Sequence, residues 1–131
     1  MTDSTAVTKT AEGSVAEVVE RLTDLLGERK ITVFAVIDQA AAARSVGLEL
    51  RDTVLVLFGN PAAGTPVMAA APLTALDLPL KVLVWDDGGR TTVTYRDPVA
   101  AAVELGAPQE AAGKLGVIHV LTDAVTVGHD G

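Results

Sequence analysis

The sequence feature that most constrains the fold is an amphipathic segment that begins at Ser14. Residues 14–17, Ser-Val-Ala-Glu, have the form of a capping box, in which the side chains of Ser14 and Glu17 each accept a hydrogen bond from the other residue's backbone N–H. Apolar residues then recur at helical spacing, at Val15, Val18, Val19, Leu22, Leu25 and Leu26. This pattern predicts a helix to about Glu28 whose single apolar stripe packs on a sheet.

Short apolar runs, several rich in β-branched residues, predict the strands of that sheet. They cover residues 6–9, 31–37, 53–58, 81–85 and 91–95. We expect 31–37 to be buried on both faces and 53–58 to be a central strand. Residues 86–90, Asp-Asp-Gly-Gly-Arg, are typical of a hairpin turn, so the last two strands should form an antiparallel pair.

Capping residues predict further short helices between the strands. Asp38 precedes an Ala-rich segment, which favours a helix over residues 40–46. Thr65-Pro66 combines a preferred N-cap with a preferred first helical residue, so a helix is expected from there to about Ala71. Asp97-Pro98 starts another helical stretch. In residues 113–127 helix and strand both remain open.

Composition restricts the class of protein. The chain has 131 residues, of which 49% are hydrophobic and only 3% aromatic, so one core of aliphatic side chains is expected. We expect one domain over residues 5–126, with flexible tails at 1–4 and 127–131.

The net charge of -7 disfavours nucleic acid as a partner. Apolar stretches are shorter than the roughly 20 residues of a membrane helix. The absence of cysteine fits a cytoplasmic protein.

Three segments together resemble a known family. They are GNPAAGTPVM (59–68), ALDLPLKVLVWDDGG (75–89) and TYRDP (94–98), placed after IDQAAAARSVGLEL (37–50). The chain resembles the domain-of-unknown-function 302 (DUF302) family. The resemblance implies an α+β domain with β-α-β-β-β-β-α order, a mostly antiparallel sheet with helices packed on one face, and a homodimer. It implies no established activity.

The chain departs from the family pattern at two polar positions. The family usually has His where this chain has Gln39, and usually has Lys after the GNP string where this chain has Ala62. If those groups carry an activity in relatives, this chain is expected to lack it.

The segment from Gly59 to Thr65 nearly matches the spacing of a phosphate-binding loop. It lacks the lysine that holds the phosphates, so a turn that caps a helix is favoured over nucleotide hydrolysis. A weaker hypothesis is that free N–H groups around residues 65–68 bind a carboxylate or phosphate at the helix start.

The candidate ligand-binding residues lie near residues 59–81. They are Asn60, Gly64, Thr65, Met68, Asp77, Lys81 and Tyr95. If strand 81–85 runs antiparallel to 53–58, Asn60, Thr65 and Lys81 should share one small pocket, with Met68 and Leu78 as its apolar wall.

The leading functional hypothesis is a homodimeric, non-catalytic module that binds a small polar or anionic ligand in that region. The alternative is a small enzyme that uses Asp77 and Lys81. No catalytic residue, metal site or cofactor is predicted. His119 and Asp123 are one helical turn apart, but a hydrogen bond on a helix surface is favoured over a metal site. Self-association, supported also by a mean hydropathy of +0.38, is expected through the strand edges at 6–9 or 91–95.

Overall fold

Six antiparallel strands form a single sheet in the computed structural model, which describes residues 6–129. The strands are β1 (Ala6–Ala11), β2 (Thr32–Asp38), β3 (Thr53–Gly59), β4 (Leu80–Asp87), β5 (Arg90–Arg96) and β6 (Gly128–His129). Their order across the sheet is β2-β3-β4-β5-β1-β6, and each neighbouring pair is antiparallel. The predicted α+β fold is confirmed.

Helices occupy the connections and pack on one face of the sheet. They are α1 (Val15–Glu28), α2 (Gln39–Ser45), α3 (Pro61–Ala70), α4 (Pro98–Glu104), α5 (Gln109–Ala112) and α6 (Val117–Val125), with 3₁₀ helices at Pro72–Leu76 and Gly113–Gly116. Because Ile118, Leu121 and Val125 are buried at helical spacing, the open choice in this region is resolved as helix α6. Every helix within residues 6–129 is too short or too polar to cross a bilayer.

Helix α1 forms as its sequence predicts. The Ser14 backbone N–H donates to Glu17 Oε1 at 3.0 Å, and the Glu17 N–H donates to Ser14 Oγ at 3.1 Å. Val15, Val18, Leu22 and Leu26 are buried along one stripe of the helix. The predicted capping box and apolar face are both confirmed.

One face of the sheet is covered by helices, and the other face is partly exposed to solvent. Val54, Val56 and Phe58 of β3 point to the helices and are buried, whereas Leu55 and Leu57 point to the opposite face and are partly exposed. The β3–β4 register pairs Val56 with Val82 and Leu55 with Leu83, so the alternation continues across the sheet. One face therefore carries the core and the other is open.

Strand β2 corrects one prediction. It is a strand as expected, but Phe34 is 55% exposed and Val36 is 48% exposed, so burial on both faces is wrong. The reason is its position at the end of the strand order, where only β3 pairs with it. A run of β-branched and apolar residues does not distinguish an edge strand from a central one.

Helix α3 corrects another prediction, because it begins at Pro61 and not at Thr65-Pro66. Asn60 is the N-cap, and its Oδ1 accepts a hydrogen bond from the Ala62 N–H at 3.0 Å. Pro61 takes the first helical position, where its missing N–H costs nothing. The N–H groups of Thr65, Val67 and Met68 lie inside the helix, so the predicted helix start at Thr65-Pro66, on which the expected anion site depended, is wrong.

The last described residues, 127–129, lie beside strand β1. The predicted tail at 1–4 and the last residues, 130–131, lie outside the described residues. Within the predicted tail at 127–131, the Val127 N–H donates to the Thr10 carbonyl at 2.8 Å, and Gly128–His129 pair with β1. The backbone of residues 127–129 therefore extends the sheet.

Candidate functional site

A cavity of about 440 Å³ opens at the end of the sheet where β3 finishes and β4 starts. Its walls come from the start of β2, the β3–α3 junction, the turn before β4, and the segment that leads into α6. The lining residues are Ile31, Phe34, Leu57, Phe58, Gly59, Asn60, Pro61, Ala63, Gly64, Thr65, Met68, Leu78, Pro79, Leu80, Lys114, Leu115 and Val117. Most are apolar, and this space is named the apolar cavity below.

Two glycines line the apolar cavity. A Cβ added at Gly59 would lie 3.4 Å from Cε2 of Phe34, so glycine lets this ring approach the backbone closely. A Cβ added at Gly64 would be 3.8 Å from Leu78 Cδ1 and 3.9 Å from Met68 Cε. A side chain at position 64 would therefore project into the space between α3 and Leu78.

The polar groups of the apolar cavity are hydrogen-bond donors or neutral groups. They belong to Asn60, Thr65 and Lys114, and the 17 lining residues include no aspartate or glutamate. Because Asn60 Oδ1 already accepts from the Ala62 N–H, its amide N–H groups remain for other partners. The cavity thus combines apolar walls with a small number of hydrogen-bond donors.

A second depression, of about 880 Å³, lies against the open face of the sheet and helix α4. It is lined by Ala6, Leu55, Asp77, Leu80, Lys81, Leu83, Thr94, Tyr95, Arg96, Pro98, Ala101, Glu104, Leu105 and Ile118. Two basic and two acidic side chains are among them, so it is named the charged groove below.

The structure divides the predicted ligand-binding residues between these two spaces. Those in the apolar cavity are Asn60, Gly64, Thr65 and Met68, with Leu78 beside them; those in the charged groove are Asp77, Lys81 and Tyr95. The prediction that Lys81 shares a pocket with Asn60 and Thr65 is wrong. Leu80 is buried and its neighbour Lys81 is exposed, since consecutive residues of a strand point to opposite faces.

Asp77 and Lys81 do meet, but through the backbone. The Lys81 amine donates to the Asp77 carbonyl oxygen at 3.0 Å and to the Pro79 carbonyl oxygen at 3.4 Å. These bonds hold the turn that precedes β4. The contact therefore joins an amine to carbonyl oxygens and does not pair a carboxylic acid with a base.

Sequence reasoning missed a buried polar cluster on the helix side of β1. Lys9 is only 2% exposed, and its amine donates to Thr122 Oγ1 at 2.6 Å and to the His119 carbonyl at 3.2 Å. It also pairs with Asp123 at 2.9 Å and lies 5.1 Å from the centre of the Tyr95 ring. These partners are distant from Lys9 in sequence, so no local sequence pattern predicts the cluster.

His119 has different partners from those its helix suggested. Its Nδ1 lies 2.6 Å from the Tyr95 hydroxyl, and its Nε2 lies 3.6 Å from Oδ1 of Asp97. Asp123 instead pairs with Lys9, so the expected His119–Asp123 contact on the helix surface is replaced by contacts to other elements. Within residues 6–129 no group of three His, Asp or Glu side chains is placed to hold a metal ion.

The two departures from the family pattern lie at opposite ends of the sheet. Gln39 follows Asp38, which pairs with Val54 at the start of β3, whereas Ala62 lies just beyond Gly59 at the end of β3. Neither residue lines the apolar cavity or the charged groove. The two positions therefore do not contribute to one common site.

Comparisons with known proteins agree on the family and the fold. The family model described as "Domain of unknown function DUF302" matches residues 7–121. The crystal structure of an uncharacterized conserved protein DUF302 from Bacillus stearothermophilus superposes with a TM-score of 0.84 at 20% identity, over 94% of this chain and 99% of that one. This likeness shows a shared fold.

Curated relatives are similar over only part of their length. The fluoride-specific ion channel FluC 1 of Brucella suis biovar 1 is 40% identical over 97 residues, which is 73% of this chain and 38% of that protein. FluC 2 of Brucella melitensis biotype 1 has the same identity over 36% of its length. The chain thus spans less than two fifths of these relatives.

Proposed function

The chain belongs to the DUF302 family, and from that premise we propose that it is a homodimeric, non-catalytic module that binds a small ligand in the apolar cavity. The proposal places the ligand at the Gly59 end of the sheet, between helix α3 and the turn before β4. It differs from the sequence hypothesis in the ligand's character, because the cavity suits a mainly apolar body.

One observation carries this proposal: an open cavity of about 440 Å³ whose walls are almost entirely apolar. Large contiguous apolar patches are uncommon on the surface of soluble proteins and often mark a binding site. Ligand sites typically span about 300–1,000 Å³ and carry few polar groups among apolar walls. The apolar cavity has both properties.

The enzyme hypothesis receives less support from the geometry. Asp77 and Lys81 line the charged groove, but the Lys81 amine is engaged by two backbone carbonyls of its own turn. A catalytic acid and base are expected to face a common reacting atom. The names of the channel relatives describe ion channels and not enzymes. We assign ion permeation to the parts of those proteins outside the shared segment.

Binding of an uncharged, environment-sensitive dye tests the proposal. We expect Nile red to bind the parent protein saturably at one site per chain, because the cavity walls exclude water from its aromatic rings. Gly64→Leu should weaken binding at least about tenfold, since the added side chain would occupy the space beside Leu78 and Met68. Fluorescence titration measures both.

Gly27→Leu is the matched control. Gly27 is an exposed helical glycine, and an added Cβ there would meet no atom within 4 Å. This variant should bind the dye as the parent does. Equal affinity of the parent and Gly64→Leu would place the dye elsewhere and refute the proposed site.

The dimer is proposed to form through strand β2. Both edges of β5 are paired, by β4 and β1, so its expected role as a dimer edge (91–95) is wrong. Strand β1 pairs with β5 along its length and with β6 at Lys9 and Thr10. Within residues 6–129 the outer edge of β2 has no strand beside it, and Phe34 and Val36 are about half exposed there. Such an edge can pair with its own copy about a two-fold axis.

A lysine in the edge strand tests the interface. We expect the parent to sediment as a dimer at micromolar concentration and Val36→Lys to sediment as a monomer, because a charge on an edge strand opposes pairing. Val46→Lys is the control, since Val46 is 72% exposed but lies outside the strand. A monomeric parent, or a Val36→Lys variant that remains dimeric, would contradict this interface.

A further inference from the structure

We infer that the ligand of the apolar cavity is an amphipathic carboxylate, whose hydrocarbon part lies between α3 and Leu78 and whose carboxylate is bound by Lys114. This inference rests on the proposed function and specifies the chemistry of its ligand. It also returns an anion to the site, although at a different residue from the one the sequence suggested.

The lining of the apolar cavity carries one positive charge and no negative charge. The chain contains 17 acidic and 10 basic residues, so acidic side chains predominate over the molecule as a whole. The apolar cavity has the opposite character, because Lys114 is its one charged lining residue and no carboxylate accompanies it. An anionic group there meets a cation without a competing negative charge in the lining.

The lining also contains two neutral residues that can donate hydrogen bonds, Asn60 and Thr65. Asn60 has amide N–H groups to donate, since its Oδ1 is committed to the Ala62 N–H as the helix cap. Thr65 lies five residues further along the chain, within α3, and is exposed. With the Lys114 amine, these groups offer donors for the two oxygens of a carboxylate.

The apolar walls of the cavity favour a ligand with a hydrocarbon part. A ligand that consisted only of a charged group would leave Phe34, Leu78 and Met68 in contact with water or empty space. A hydrocarbon chain attached to the carboxylate would cover these side chains, and burial of each methylene group favours binding. The combination selects a molecule with an apolar body and one anionic end.

Competition between two matched probes tests the inference. Octanoate and octanol have the same chain length and differ in the charged end, and each can be titrated against bound Nile red at neutral pH. We expect octanoate to displace the dye, and Lys114→Gln to weaken octanoate binding about three- to tenfold while octanol binding stays unchanged. Arg44→Gln, the same loss of charge in helix α2, is the control and should leave both affinities unchanged.

The outcomes separate the two proposals. If octanol and octanoate bind equally in the parent and in Lys114→Gln, the carboxylate assignment is overturned while the apolar site stands. If neither probe displaces the dye and Gly64→Leu has no effect on the dye, the proposed function itself fails. If Arg44→Gln weakens octanoate binding as much as Lys114→Gln does, long-range charge and not Lys114 governs binding, which also overturns the assignment.

Discussion

Lys9 is buried on the helix side of β1, where most other side chains are apolar. Its charge is accommodated because four groups surround it: the Thr122 hydroxyl, the His119 carbonyl, the Asp123 carboxylate and the face of the Tyr95 ring. A buried amine without such partners would be strongly destabilising. The side chain therefore joins β1 to α6 both by packing of its stem and by hydrogen bonds.

Replacing Lys9 separates these two contributions. Lys9→Ala should lower the free energy of unfolding by about 2–4 kcal/mol, because it leaves a cavity and removes the hydrogen bonds. Lys9→Met keeps most of the volume and should cost less. The Thr122 hydroxyl retains its bond to the Ile118 carbonyl, and Asp123 is half exposed, so neither is stranded. Urea unfolding measures the difference, and equal losses in the two variants would contradict the packing contribution.

At the scale of elements, the sequence predicts those helices and turns whose stabilising contacts lie within a few residues. Helix α1 and the β4–β5 hairpin form as expected because their caps and turn lie within a few residues; Gly88 and Gly89 adopt positive φ, and Asp86 Oδ1 accepts from the Gly89 N–H. The sequence predicts a later start for helix α3 than the structure shows, because Asn60-Pro61 and Thr65-Pro66 both have the residue types of a helix start. A proline within the first two turns, Pro66, did not end the helix.

A charge on the apolar stripe of α1 tests the packing of this element. Leu22 is fully buried, so Leu22→Asp should lower stability by several kcal/mol through lost apolar burial and an unpaired buried carboxylate. Ala16→Asp places the same group on the exposed face and should leave the melting temperature nearly unchanged. Thermal unfolding followed by circular dichroism compares them. A Leu22→Asp midpoint equal to that of the parent would show that the assigned face is wrong.

The capping box gives α1 a dependence on acid. The hydrogen bond from the Ser14 backbone N–H, followed by that from its hydroxyl and the charge of Arg21, lowers the pKa of Glu17 below its usual 4.5. A carboxyl whose pKa is lowered by folding stabilises the folded state above its unfolded-state pKa. This contribution is lost as the pH falls through the folded-state value, which lies below 4.5.

Glu17→Gln tests this dependence, because glutamine can keep the box but carries no charge. The parent should be slightly more stable than the variant at pH 7, and the difference should disappear once the pH is below the folded-state pKa of Glu17. Urea midpoints at the two pH values measure it. A difference that stays constant from pH 7 down through this range would contradict the assigned role of the carboxylate.

At the scale of the whole molecule, the strand order determines which residues can act together. Alternation along β4 separates Lys81 from the apolar cavity, although the antiparallel β3–β4 pairing that suggested their proximity is confirmed. Lys114 reaches the cavity from a segment about fifty residues beyond Asn60. Contacts at such separations depend on how α6 and its preceding turn pack, which no local pattern in the sequence specifies.

Mapping of the binding site by NMR tests the central claim most directly. In a ¹⁵N-labelled sample of the full chain, titration with octanoate should shift amide resonances saturably around Gly64, Leu78 and Lys114, the residues that surround the apolar cavity. Resonances around Arg96 and Glu104 in the charged groove should stay in place. Shifts centred on the charged groove, or no saturable shifts at all, would contradict the account.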